Sequence, residues 1–352
     1  MIDPAHKETE TILQAVEKQL TAEYAKATRE VHVKLADYLR RYKIKDEKWR
    51  EWVKDGTKTE QQYKAWRQAQ IAAGKRWEAL RDQLATDLQN VDEIARGLVT
   101  RSQIDIYAIN HNFGTYEIEH GAGVDTSFTL YNREAVERMV RENPDLLPPP
   151  GEKVSREILA GRAERWNRQK IQSVMIQGIL QGDSIPNLAT RIAVAVGDSN
   201  RKSAIRNART MATGAQNAGR VDAYKRAVDK GLKVRQTWMA IVDNRTRHEH
   251  RQLDGVTVDV GKPFVVDGYK LRFPGDPDGA PHLVYNCRCT LIGQVKGFET
   301  DIRNLDIRSD EKIKGMTYEQ WKEAKAQSQP IDEQERKGKS IKRWYVNQYR
   351  RG

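Results

Sequence analysis

Apolar residues at Ile12, Val16, Leu20, Tyr24, Val31, Leu35, Leu39 and Tyr42 recur at helical steps along the first forty positions. Such spacing places them on one stripe of a helix too long to stand alone in water, so the chain has to bury that stripe against other helices. A second stripe runs through Trp77, Leu80, Leu84, Leu88, Val91, Ala95 and Leu98. Between them Asp55-Gly56-Thr57 signals a turn, flanked by Trp49, Trp52 and Val53 on one side and Tyr63 and Trp66 on the other. The first 150 residues therefore read as long helices folded back on one another and closed by aromatics. No strict heptad is sustained, which favours partner helices in the same chain over a coiled coil with another one.

From 102 to 150 the periodicity weakens. Asn110-His111-Asn112-Phe113-Gly114 and His120 to Gly123 read as loops, and Ser127–Tyr131 as a short strand. Pro148-Pro149-Pro150-Gly151 then halts regular structure, because consecutive prolines favour a stiff extended spacer, and it marks a domain boundary near 150. Beyond it, Ser155 caps a helix carrying Ile158, Leu159, Trp166, Ile171, Val174, Met175 and Ile179. A short helix follows Asp183-Ser184-Ile185-Pro186, and a third runs from Asp198 to about Lys230, stopping at Gly231.

Residues 236–298 change character. Gln236–Val242, Val256–Val260, Phe264–Val266, Tyr269–Phe273 and Cys289–Ile292 are strand candidates, with Asp267-Gly268 as a hairpin turn, His248–Leu253 as a helical turn, and Pro274–Gly279 as a loop. The fold class expected is mainly α: a helical N-terminal domain over 1–150, a basic helical segment over 151–235, a small α+β module at 236–298 and a basic tail over 299–352.

The net charge is +12, and its location matters more than its size. Residues 151–235 hold 17 Lys and Arg against 7 Asp and Glu, whereas 1–150 are slightly acidic and 236–298 nearly balanced. Within that stretch Arg201, Lys202, Arg206, Arg209 and Arg220 alternate with small residues. Such a face suits a phosphate backbone, a neighbouring helix or plain solvation. The tail from Arg336 to Gly352 adds seven basic residues interleaved with Trp344, Tyr345 and Tyr349, a composition fitting nucleic-acid or protein docking or a solubilising end. No apolar run approaches 18 residues, which excludes a transmembrane helix. The first thirty residues lack the apolar core of an export signal. Two cysteines, Cys287 and Cys289, exclude a disulfide-stapled secreted scaffold and point to a reducing cytosol.

Cys287 and Cys289 stand two apart, so on a strand both thiols face one side. With His250 and His282, or with His248, they would complete a tetrahedral zinc site; a buried thiol pair or a redox-formed bond fits the same spacing. Asp243, Arg247, His250 and Asp254 cluster after one strand as an acid–base set with an anion-binding arginine, the pattern of a nuclease. The same Asp-x-x-Thr-Arg also reads as a turn whose side chains cap backbone groups. Phosphate-loop, zinc-protease, nucleophile-elbow and dinucleotide motifs are absent from the sequence.

One ordered set of residues goes further. Ala208-Arg209-Thr210, Asn217-Ala218-Gly219-Arg220, Trp238, Asp243, Thr246-Arg247, His250, Leu253-Asp254-Gly255, Phe273-Pro274-Gly275-Asp276 and Asn286-Cys287-Arg288-Cys289 resemble the phage head morphogenesis family named after the F protein of phage Mu. The resemblance spans about 155 to 295. It implies a non-enzymatic minor capsid protein of the virion, made in the host cytoplasm. It also implies docking at the portal vertex inside the procapsid, portal and capsid or scaffold proteins as partners, and non-specific contact with packaged double-stranded DNA. A nuclease and a general DNA-binding protein are the alternatives from other classes.

Overall fold

The structure is a computed structural model and describes residues 3–147, 156–295, 308–309 and 313–328. The expectations placed on Pro148–Gly151, on Ser155 and on the tail 336–352 lie outside these. Ten helices dominate the described residues: α1 Pro4–Arg40, α2 Lys43–Lys54, α3 Glu60–Gln70, α4 Lys75–Ala122, α5 Arg133–Glu142, α6 Arg156–Leu180, α7 Ile185–Asp229, α8 His248–Leu253, α9 Pro281–Val284 and α10 Tyr318–Ser328. The strands are short: β1 Val124–Asp125, β2 Val234–Met239, β3 Thr257–Asp259, β4 Phe264–Val266, β5 Tyr269–Leu271, β6 Thr290–Val295 and β7 Arg308–Ser309. The mainly α class with a small α+β module is thus what the chain adopts, and no described helix is long and apolar enough to cross a membrane.

The chain forms two compact units that do not follow its serial order. One gathers Met1–Val16, Val99–Gly151 and Asn207–Gly352, and the other Glu17–Leu98 and Glu152–Arg206. In the second unit the two stripes meet. Val31, Leu35 and Leu39 of α1 pack with Trp77, Leu84 and Leu88 of α4, Ile171, Met175 and Ile179 of α6, and Leu188, Ile192 and Val196 of α7. The predicted turn at Asp55–Thr57 joins α2 to α3 with Gly56 at φ +84°. Across it Trp49 stacks on Trp66 at 5.4 Å.

The first unit holds the module. β2 is central in a three-stranded antiparallel sheet ordered β3-β2-β6, with Trp238 opposite Leu291 and Gln236 opposite Val258. The β4–β5 hairpin turns at Asp267 (φ +48°) and Gly268 (φ +79°), the two left-handed residues of a tight hairpin turn. Trp238, Leu253, Phe264, Leu283 and Leu291 pack with Val221, Tyr224 and Ala227 of α7 and Ile118 of α4. Gly219 makes that helix pairing possible, since a Cβ there would sit 2.5 Å from the Tyr107 carbonyl oxygen. Gly231 ends α7 in a Schellman turn, with Leu232 N–H bonding Ala227 O at 3.1 Å and Gly231 N–H bonding Val228 O at 2.8 Å.

Three sequence expectations are corrected. α4 runs unbroken through Asn110–Gly114 and His120–Ala122, because the polar residues there find buried partners: Asn110 Nδ2 donates to Thr9 Oγ1 at 2.8 Å, and Asn112 pairs with both backbone groups of Tyr131. α7 is continuous through Asp198, which lies inside the helix rather than capping it. Ser127–Tyr131 is irregular, and the strand forms just before it, where Val124–Asp125 pairs with Arg308–Ser309.

His111 lies at 1% exposure, its ring stacked on Tyr131 at 3.7 Å and its Nε2 3.5 Å from an Asp222 carboxylate oxygen. Burial first, and the nearby Arg226 second, hold its pKa down at about 3, so it is neutral at pH 7. The unfolded chain takes up a proton near 6.5 that the folded chain refuses. The stability is therefore complete above that value and falls as pH drops toward 3. Melting temperatures at pH 7 and pH 4 should show a steep acid loss in the wild type, worth at most about 4 kcal/mol from this group, and a shallower one in His111→Gln.

Candidate functional site

α7 presents a row of polar side chains to the segment leading into β6, and the row fixes that segment. Thr210 Oγ1 accepts the Asn286 N–H at 3.1 Å, and Thr213 Oγ1 donates to Cys287 O at 2.5 Å. Asn217 Nδ2 lies 3.1 Å from both Pro274 O and Cys289 O. Arg220, fully buried, donates to Leu291 O at 2.7 Å, to Asn110 Oδ1 at 3.0 Å and to Asp3 Oδ1 at 2.7 Å, with its guanidinium 4.9 Å from the Phe113 ring centroid. A second close approach, Gly214 against Gly275 O at 2.9 Å from where a Cβ would lie, brings the Pro274–Gly279 loop onto the same helix.

The segment so held carries Cys287 and Cys289, 2% and 3% exposed, facing His250 of α8 at 2%. The three side chains form a cluster able to hold a metal ion. His250 Nε2 is 2.8 Å from Leu283 O; a carbonyl only accepts, so this nitrogen carries the proton and Nδ1 turns its lone pair to the thiols. Nδ1 lies 3.4 Å from Cys289 Sγ and 3.8 Å from Cys287 Sγ. The hydrogen bond with Cys287 holds the Cys289 thiol down at about 5 against the opposing effect of burial. The same Cys287–Cys289 bond, with burial, pushes Cys287 well above the ordinary thiol range. One proton shared by two thiols is the state that this geometry favours.

His282 is not part of the cluster. It is exposed on α9 with its ring edge-to-face on Tyr269 at 5.1 Å, so the four-ligand set Cys287, Cys289, His250 and His282 reduces to three. His248 is exposed and bonded to Gln252.

Asp243, Thr246, Arg247 and Asp254 form a latched turn. Both Asp243 oxygens meet Arg288 at 2.7 Å, which together with the Arg245 N–H keeps this carboxyl far below the usual range. Thr246 Oγ1 bonds Ile241 O and receives the Asp243 N–H, Arg247 donates to Tyr285 O, and Asp254 Oδ1 accepts the Ala240 N–H at 2.8 Å. The hydrogen bonds of the nuclease-like set are thus taken up in holding the turn together.

Of the basic residues, Lys202 and Arg206 are exposed on α7, Arg201 is partly exposed beside Asp198 at 3.4 Å, and Arg209 is half-buried. Arg220 is corrected: its guanidinium is enclosed and committed to internal acceptors, which leaves no route to a phosphate. Sequence reading missed Thr213, gave Asn217 only as part of the family resemblance, and placed Asn110 in a loop. An uninterrupted run of small and polar residues on one helix was the available signal, but their acceptors lie 57 to 110 positions away and leave no local mark.

Residues 169–292 match the family described as Phage Mu protein F like protein. The chain is similar to minor head protein GP7 of Bacillus phage SPP1, 26% identical over 257 residues that cover 72% of this chain and 79% of that one. It is also similar to the NAD(+)-arginine ADP-ribosyltransferase EFV of Enterococcus faecalis, 29% identical over 206 residues, 58% of this chain and 40% of that protein. An uncharacterized protein of Haemophilus influenzae is 26% identical over 65% of this chain and 44% of its own length. The chain thus spans less than half the length of the Enterococcus and Haemophilus relatives. No solved structure matches it.

Arg220→Met should lower unfolding stability in denaturant titrations by roughly 3–5 kcal/mol, because Asp3 and Asn110 lose a buried partner. Arg220→Lys should recover little of it, since an ammonium cannot reach three acceptors held in a fork.

Proposed function

We propose that this chain, a member of the phage Mu F-like family of minor head proteins, acts in head morphogenesis as a structural component that docks at the portal vertex inside the procapsid and contacts packaged DNA without sequence preference. The observation that carries the structural reading is the fate of the motif. The side chains of Thr210, Asn217, Arg220, Asp243, Thr246, Arg247 and Asp254 all make hydrogen bonds within the first unit. A general base needs an accessible nitrogen or oxygen near its substrate, and His250 sits among apolar side chains with Nε2 bound to a carbonyl. The resemblance to a named ADP-ribosyltransferase covers less than half of that enzyme, so its activity is not carried over.

Capsid and portal proteins are the partners this reading proposes, and the virion the location. Heads purified from the phage that encodes the chain should contain it, and cross-linking within procapsids should join it to the portal protein. Its absence from heads would overturn the assignment. The wild type should neither cleave duplex DNA with any of magnesium, manganese or calcium nor transfer ADP-ribose from NAD; cleavage lost in His250→Ala at unchanged melting temperature would favour the nuclease.

DNA contact is assigned to Arg201, Lys202, Arg206 and Arg209 of α7. The full chain should bind unrelated duplexes with equal affinity that falls steeply with salt. Replacing all four residues with Gln should reduce the slope of log K against log salt by about 0.9 for each phosphate that is no longer neutralised. An unchanged slope would make the face merely solvated.

A further inference from the structure

We propose that His250, Cys287 and Cys289 bind one thiophilic divalent cation, zinc being the cation these donors suit best, and that the cation fastens α8 to the strand β6 side of the module. The inference is independent of the head-assembly reading.

The distances carry it. With Zn–S near ~2.3 Å and Zn–N near ~2.0–2.1 Å, a tetrahedral centre separates a sulfur from a nitrogen by about 3.6 Å. The observed Sγ to Nδ1 distances, 3.4 and 3.8 Å, bracket that value, and all three donor atoms lie within 4.8 Å of one another. Imidazole orientation agrees: Nδ1 faces the thiols because Nε2–H is held by Leu283 O, the outer-sphere carbonyl partner that metal-binding histidines commonly have. Charge agrees as well. Two thiolates and a neutral imidazole balance a divalent cation, whereas two thiolates alone would be an uncompensated charge among Leu253, Phe264, Leu283 and Leu291.

Two N–H groups stand ready for thiolate sulfur. The Cys289 backbone N–H already points to Cys287 Sγ at 3.4 Å. Trp238, wholly buried, has no oxygen or nitrogen acceptor for its indole Nε1–H, and its ring lies 5.7 Å from that of His250. A buried donor without a full partner is costly, and metal-bound thiolate in the same pocket supplies an acceptor. Sulfur and imidazole donors with no carboxylate select zinc over calcium or magnesium. With His282 exposed and outside the cluster, three protein donors leave the fourth position to a solvent molecule.

The test uses the full chain, purified anaerobically with reductant, stripped by chelation, and titrated first with cobalt and then with zinc. The expected result is one equivalent bound, with a thiolate-to-cobalt charge-transfer band that zinc abolishes, and a melting temperature that rises with zinc. Cys287→Ser and Cys289→Ser should each halve the band and weaken binding by more than a hundredfold, and His282→Ala should change neither. Because a serine in this core can unfold the module, the wild-type spectrum is decisive without the variants. Absence of the thiolate band in folded, reduced protein would overturn the proposal. So would cobalt bound with equal affinity by wild type and His250→Gln, or a mass two hydrogens short under reductant, which would show the thiols joined to each other.

Discussion

A guanidinium stays charged at any pH at which the protein folds, so enclosing Arg220 commits the rest of the first unit to supplying fixed acceptors. They come from Asp3 just before α1, Asn110 in the middle of α4 and Leu291 in β6, three places far apart in the sequence. Glu117 adds a carboxylate 3.9 Å away, yet its own burial outweighs that attraction and lifts its pKa to about 7, with Tyr224 donating to it at 2.6 Å. Satisfying one cation in this way sets the rotation of α7 and its height against α4. That setting in turn requires glycine at 219, one residue before the arginine, where the α4 backbone passes too close for a side chain.

The parts of the fold legible in the sequence are those whose signal is local. Helical stripes at Ile12–Leu39 and Trp77–Leu88, the Asp267-Gly268 hairpin, the helical turn at His248–Leu253 and the stop at Gly231 are set by periodicity or by a positive φ, and each stands where it was expected. Asn110–Asn112 misled because asparagine and histidine in sequence look like a turn, while their helical state depends on Thr9 and Tyr131. Arg220 misled for the same reason. Beside Ala218 and Gly219 it has the look of a phosphate-contacting arginine, and only acceptors 71 to 217 residues away reveal otherwise. The division into units was equally hidden, because a chain whose segments 1–16, 99–151 and 207–352 gather together carries no compositional seam at 16 or 98.

The motif itself was legible as an ordered set but not as a chemistry. Asp-x-x-Thr-Arg-x-x-His satisfies the residue types of an acid–base site, and a sequence cannot distinguish a carboxylate awaiting a substrate from one gripped by Arg288. Geometry decides, since the hydrogen-bonding groups of Asp243, Thr246 and Arg247 point at the turn they close. The same geometry explains why the set is so specific in order: each member has a different backbone partner, so one position moved by a residue leaves a carbonyl or amide without the side chain that holds it.

This distribution also decides where contact with a polyanion can arise. Inside 236–298 four of the five arginines are engaged, Arg247 with Tyr285 O, Arg251 with Asp243 O, Arg272 with Asp276 and Asp278, and Arg288 with Asp243, while Arg245 is exposed, and that segment's charge is nearly balanced. The excess lies earlier, on α7 and α6. Along α7 the character changes near residue 207. Before it, Lys202 and Arg206 reach solvent between small residues. After it, Thr213, Asn217 and Arg220 turn inward and become the scaffold of the module. One continuous helix therefore supplies both a cationic face and a clamp. Arg201, Lys202 and Arg206 precede the turn that carries Thr210 and Thr213, whereas Arg209 stands beside Thr210, so replacing the first three tests the proposed contact with the least disturbance of the clamp.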